Sequence, residues 1–202
     1  MAEMNSLDEA LLDEIRDLYH AEKQLVKALP KMAEAASSDD LRDALQTHLT
    51  ETENQVSRLE QVFELLDEKP RAKPCAGMAG IIEEGSDVLK EGGEPAVLDA
   101  CIIASAQRAE HYEIAAYGTA AAWADGLGLT DVAGLLRETL EEEKAADEKL
   151  TMLAEAGINA AAGSDEDAPS DEEETDDDED YDEVDEDEDD AEETDGGGSP
   201  TR

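Results

Sequence analysis

Six residues stand out for the chemistry they could do: Glu22, His48, Glu51, Glu110, Glu113 and Glu142. Five carboxylates and one imidazole are donors for a divalent cation. A buried carboxylate without a partner costs several kcal/mol or gives up its charge, so acids that face a core normally meet a base or a metal. The pattern is clearest in Ser105–Tyr117 (SAQRAEHYEIAAY). There Ile103, Ala106, Glu110, Glu113 and Tyr117 recur at three- and four-residue steps, the spacing of one helical face. Two acids therefore sit in the middle of a face that otherwise reads as core. Glu22, Glu51 and Glu142 lie on or beside the inner faces of three further predicted helices, and Glu143 could face inward or belong to a charged outer face.

The elements that must position these residues are all helical. Ser6 with Glu9 has capping-box spacing, and Leu11, Ile15, Leu18, Glu22, Leu25, Leu29 and Met32 form an inner stripe behind it. Pro30 is expected to kink or end that helix. A second helix is predicted from about Asp40 to Leu66 with Leu41, Leu45, His48, Thr52, Val56, Leu59 and Phe63 inward. The connection from Pro70 to Pro95 is long for neighbouring antiparallel helices and long enough to cross a bundle, with one short helix at Ile81–Lys90. A third long helix is predicted from Pro95 to about Asp125. A fourth, capped by Thr130, should reach about Ala156, with Leu136, Leu140, Glu143, Ala146 and Leu150 inward.

The two hairpins repeat. An offset of 91 residues carries His20 onto His111, Glu22 onto Glu113, Leu45 onto Leu136 and Glu51 onto Glu142 without a gap. Two hairpins related by a pseudo-twofold would bring one Glu from each helix to a common level, which is what a two-metal carboxylate site requires. His20 and His111 each precede an inner Glu by two residues and so point away from it. They suit outer hydrogen-bonding or subunit-contact roles.

Composition narrows the partners. The chain has 57 acidic and 15 basic residues, net −42. Between Asp165 and Asp195 stand 23 of the acids and no base, which leaves 34 acids against 14 bases before that run. Such charge argues against nucleic acid and anionic membrane as partners, and an acidic body with little lysine suggests a high-salt cytoplasm. No apolar run approaches the roughly 18 residues of a membrane span, and a secretory signal pattern is missing, so a cytoplasmic location is expected. Cys75 and Cys101 lack metal-type spacing and read as free thiols. Tyr19, Tyr112 and Tyr117 read as packing residues. The domain expectation is a four-helix bundle over 1–162 and a disordered polyacidic tail over 163–202, which is too poor in apolar residues to repay ordering.

The segments DLYHAEKQL (17–25), HLTET (48–52), VFELLDEKP (62–70), AEHYEIAAYG (109–118) and ETLEEEKAAD (138–147) resemble the YciE/YciF-type ferritin-like family over about Leu7 to Ala156. The resemblance implies an all-α, ferritin-like antiparallel four-helix bundle similar to the diiron domain of rubrerythrin, dimeric, with a loose link to stress responses. It implies iron as the cofactor, with manganese or another divalent metal admitted. Glu22, Glu113 and Glu110 would be the ligands of the first and third helices, and Glu51 and Glu142 the bridging pair. The Glu-x-x-His histidines of that site type are absent, because Asn54 and Ala145 occupy their places. Only His48, three residues before Glu51, offers an imidazole, so the site is richer in oxygen. The functional expectation is a dinuclear metal protein with iron or peroxide oxidation chemistry under stress. The alternative is a non-catalytic dimeric bundle that acts structurally or by binding a partner.

Overall fold

Ser6 opens the first helix by accepting the Glu9 amide on its hydroxyl, while Glu9 reaches back to the Asn5 amide. The computed structural model describes residues 4–164; the tail expected from residue 163 lies outside them from Asp165 on. Helix α1 is Leu7–Ala35, α2 Asp39–Leu65, α3 Ala76–Glu91, α4 Pro95–Gly126 and α5 Thr130–Leu153. A π-helical turn, Ala154–Ile158, and a last short helix α6, Asn159–Ala162, follow. No strand occurs among the described residues.

Several local expectations are corrected. Pro30 does not end α1, which continues five residues past it to Ala35. The crossover helix begins at Ala76 rather than Ile81, because the buried Cys75 thiol serves as its N-cap and accepts the Met78 amide at 3.3 Å. Thr130 is the first residue of α5 and makes no cap; Leu129 holds the N-cap position without a side-chain bond. Both cysteines are free thiols.

Two apolar clusters fill the bundle, and their membership fixes the topology. One takes Leu11, Ile15 and Leu18 from α1, Leu59, Val62 and Phe63 from α2, Ala116–Ala124 positions from α4, and Val132 to Leu136 from α5. The other takes Leu25 and Leu29 from α1, Leu41 and Leu45 from α2, Ile102 to Ala109 positions from α4, and Leu150 from α5. Helices α1 and α5 thus run from the first cluster to the second, and α2 and α4 run the opposite way. Neighbouring helices are antiparallel throughout: α1 with α2, α4 with α5, α1 with α4 and α2 with α5. Since α2 and α4 point the same way, the chain between them must return along the bundle. That is the task of α3, which packs on α1 and α4.

The crossover is fastened at named points. Cys75 donates its amide to His20 Nδ1 at 3.1 Å, and the Lys73 amide bonds the Arg16 carbonyl at 2.9 Å. Gly77 lies so close to Tyr112 that a Cβ would stand 2.7 Å from its ring, so Gly77 sets how near α3 comes to α4. At the far end the buried Asp99 of α4 accepts the Ser37 amide and hydroxyl and the Ser38 amide, which ties the α1–α2 turn to α4. The repeat therefore has a physical form. Its axis is perpendicular to the bundle, because equivalent helices of the two hairpins run in opposite directions.

Candidate metal centre

Between the two apolar clusters every helix of the bundle carries buried polar residues at one level. Helix α1 contributes Glu22, α2 contributes His48, Thr52 and Gln55, α4 contributes Glu110 and Glu113, and α5 contributes Thr139 and Glu143. The apolar stripes of the four helices are interrupted in register, as the pseudo-twofold demands.

One donor atom from each of His48, Glu110, Glu113 and Glu143 lies within 4.8 Å of the others. His48 Nε2 stands 3.2 Å from Glu110 and 3.8 Å from Glu143, and its Nδ1 is 3.5 Å from Glu51. Glu22, fully buried, joins the group from α1: the Tyr117 hydroxyl donates to its Oε1. The site can be tested for its fit to a cation. Glu22 Oε2, both His48 ring nitrogens, Glu110 Oε2 and both carboxylate oxygens of Glu113 and Glu143 are buried without a hydrogen-bond partner. Native proteins leave only a few such atoms per hundred residues, and here eight of them share one level of the bundle. An inward-facing set of this density, built from carboxylate oxygen and imidazole nitrogen, fits a divalent cation.

The electrostatics agree. Burial pushes Glu22 up to about 7, against the pull of Tyr117 and His48. Burial together with neighbouring carboxylates raises Glu113 well above the carboxylate range, and burial raises Glu143 likewise despite His48. For His48 burial opposes the charge, but Glu110, Glu51 and Glu143 outweigh it and hold the imidazolium well above its usual range. Metal-free, the cluster therefore retains protons that the unfolded chain would release. All four shifts are upward, so each contribution is present below the unfolded pKa and is lost as pH rises through the folded one. Chelator-treated protein is therefore expected to lose stability as pH rises from about 4.5 through about 7, the range over which Glu22 gives up its proton in the fold. Thermal melts across that range check it; a melting temperature that rises with pH would contradict it.

The six residues singled out in the sequence fare differently. Glu22, His48, Glu110 and Glu113 are brought together. Glu51 is at the margin, its side chain 40% exposed and turned to His48 Nδ1. Glu142 is held elsewhere: the Arg58 guanidinium grips both its oxygens at 2.7 Å, Gln55 adds a third bond at 3.1 Å, and its carboxyl is lowered despite partial burial. The inner acid of α5 is Glu143. Along the repeat Glu51 and Glu142 do correspond, but both are edge positions, and the inner pair one residue on is Thr52 and Glu143. The apolar phase of α5 that includes Leu136 and Leu150 was the signal for Glu143. Tyr117 was also more than packing, since it bonds Glu22. His20 anchors Cys75 and Gln24, and His111 lies 70% exposed near Asp147, so both point away from the cluster.

Comparison with known proteins bears on the fold and the family. The chain is 45% identical over 160 residues to protein YciF of Escherichia coli, a match covering 79% of this chain and 96% of that one. The crystal structure of that E. coli protein, described as a stress protein, superposes with a TM-score of 0.75 over 77% of this chain and 99% of the other. YcfI of Rhodopseudomonas palustris, provisionally described as a structural protein, is 46% identical with a TM-score of 0.72, covering 74% of this chain and 95% of that one. A Xanthomonas campestris protein at 26% identity has a TM-score of 0.61 over 78% and 96% of the two chains. The helical bundle expected from the sequence is thus the fold of these relatives. Residues 6–163 match the family model described as a domain of unknown function, DUF892, and the chain belongs to that family.

Proposed function

We propose that Glu22, His48, Glu110, Glu113 and Glu143 hold two divalent cations, and that the protein is a stress-related metal protein. The single observation that carries this is the set of buried, unpartnered donor atoms at one level of the bundle. Charge supports the number. Four carboxylates with a neutral imidazole carry a formal −4, which two divalent cations balance. Iron is the metal favoured by the resemblance to diiron domains, and the oxygen-rich donor set also suits manganese. Bound iron would supply redox chemistry toward peroxide or oxygen. The chain's own contribution is to exclude water with the two apolar clusters and to hold Glu22 through Tyr117. The description of the E. coli relative as a stress protein supports the physiological setting.

Metal analysis of the full-length chain after extensive dialysis tests the proposal. The expected result is about two iron or manganese ions per chain, the number of a dinuclear carboxylate site. The absence of metal, with no change in melting temperature on anaerobic addition of Fe(II) or Mn(II), would overturn it. The non-catalytic, partner-binding bundle would then be the better account.

A further inference from the structure

A cluster this deeply buried needs a way in, and two cavities touch it. One, about 260 Å³, lies among α1, α3 and α4 and reaches Glu110 through mostly apolar walls, with the exposed Lys27 and Lys31 along it. Its lining repels a cation twice, by low polarity and by charge. The other, about 440 Å³, lies between α2 and α5 and reaches His48, Glu51 and Glu110. Here the α2 wall carries Asp40, Asp43 and Glu51, spaced at three- and eight-residue steps that keep them on one side of the helix. The α5 wall is cut low by Ala145 and Ala146, which leaves the room. At the inner end His48 and Glu110, 6% and 1% exposed, present nitrogen and oxygen atoms without hydrogen-bond partners.

We propose that this α2–α5 cleft is the loading route of the metal centre, with Asp40, Asp43 and Glu51 drawing a divalent cation inward to His48 and Glu110. The inference rests on the metal-centre reading above and adds its point of access. Acids along a cleft with low-dielectric walls focus the field and raise the local cation concentration. Lys149, exposed on the α5 wall, opposes that field and sets a limit on the rate.

The test is stopped-flow uptake of cobalt(II) by metal-free, full-length protein in about 0.1 M salt, where charges are screened beyond about 10 Å. The Asp40→Asn/Asp43→Asn double variant should load roughly three- to tenfold more slowly, a part of the roughly ten- to thousandfold that electrostatic steering commands. Lys149→Gln should load faster. Ala145→Phe, which fills the cleft from an exposed position, should slow loading whatever the salt. All three should reach the wild-type final stoichiometry, because none touches the buried cluster. Normal uptake at unchanged rates in the Asp and Phe variants would overturn the route while leaving the metal centre intact. No uptake by the wild type would remove both.

Discussion

Glu113→Ala is expected to abolish metal binding, taking bound iron or manganese from about two ions per chain to none at the buried site. Glu113 has both carboxylate oxygens buried and unpartnered, it groups with His48, Glu110 and Glu143, and it also interacts with Glu22. Its loss removes two of the eight buried, unpartnered donor atoms of the cluster. Metal analysis of wild type and variant side by side reads the effect, and the acidic tail, common to both, cancels. Glu142→Ala provides the contrast. Because Glu142 is occupied by Arg58 and Gln55, its removal should leave metal content unchanged and cost stability instead. Equal metal loss in the two variants would show that the buried cluster is not the site.

Glu143→Leu should raise the stability of the metal-free protein while removing its response to metal. Glu143 is completely buried, its oxygens make no hydrogen bond, and its surroundings include Glu110 and Glu22. Replacing whole buried ion pairs or triads by apolar groups is often stabilising by about 1–4 kcal/mol. Here His48 keeps Glu110 and Glu51 as partners, so removing Glu143 relieves carboxylate repulsion without stranding the imidazolium. A gain of about 2 kcal/mol corresponds to roughly 5 °C in a chain of this length. Wild type should show the opposite behaviour. It melts low in chelator and gains several kcal/mol on metal addition, since a ligand at about a thousand times its Kd stabilises by about 4 kcal/mol. The gain from Glu143→Leu should be greatest near pH 8 and shrink toward pH 5, where Glu143 keeps its proton in the fold and costs less. A variant that melts below chelated wild type at pH 8 would mean that Glu143 is satisfied by a partner within the fold.

Much of this architecture was legible in the sequence because it rests on periodicity. Ile103, Ala106, Glu110, Glu113 and Tyr117 are all buried, as one helical face should be. The length of the crossover announced that α2 and α4 point the same way. Local chemistry was harder to see. The proline in α1 is absorbed within a long packed helix, and the start of α3 depends on a cysteine acting as a cap, a role that side chain seldom announces.

The sequence by itself determined four long helices, their internal repeat, and the level at which acids interrupt their apolar faces. Those features follow from the 3.6-residue helical period, which is local. Only the tertiary structure decided which of two adjacent acids on α5 faces inward. The sequence pointed two ways: the seven-residue steps from Leu136 to Leu150 pass through Glu143, whereas the internal repeat pairs Glu142 with Glu51. The choice is made by packing across the bundle. Arg58 of α2 meets Glu142 at the helix edge and claims it, which turns Glu143 to the interior beside His48. That contact joins residues 84 positions apart, and its geometry exists only once α2 and α5 lie side by side.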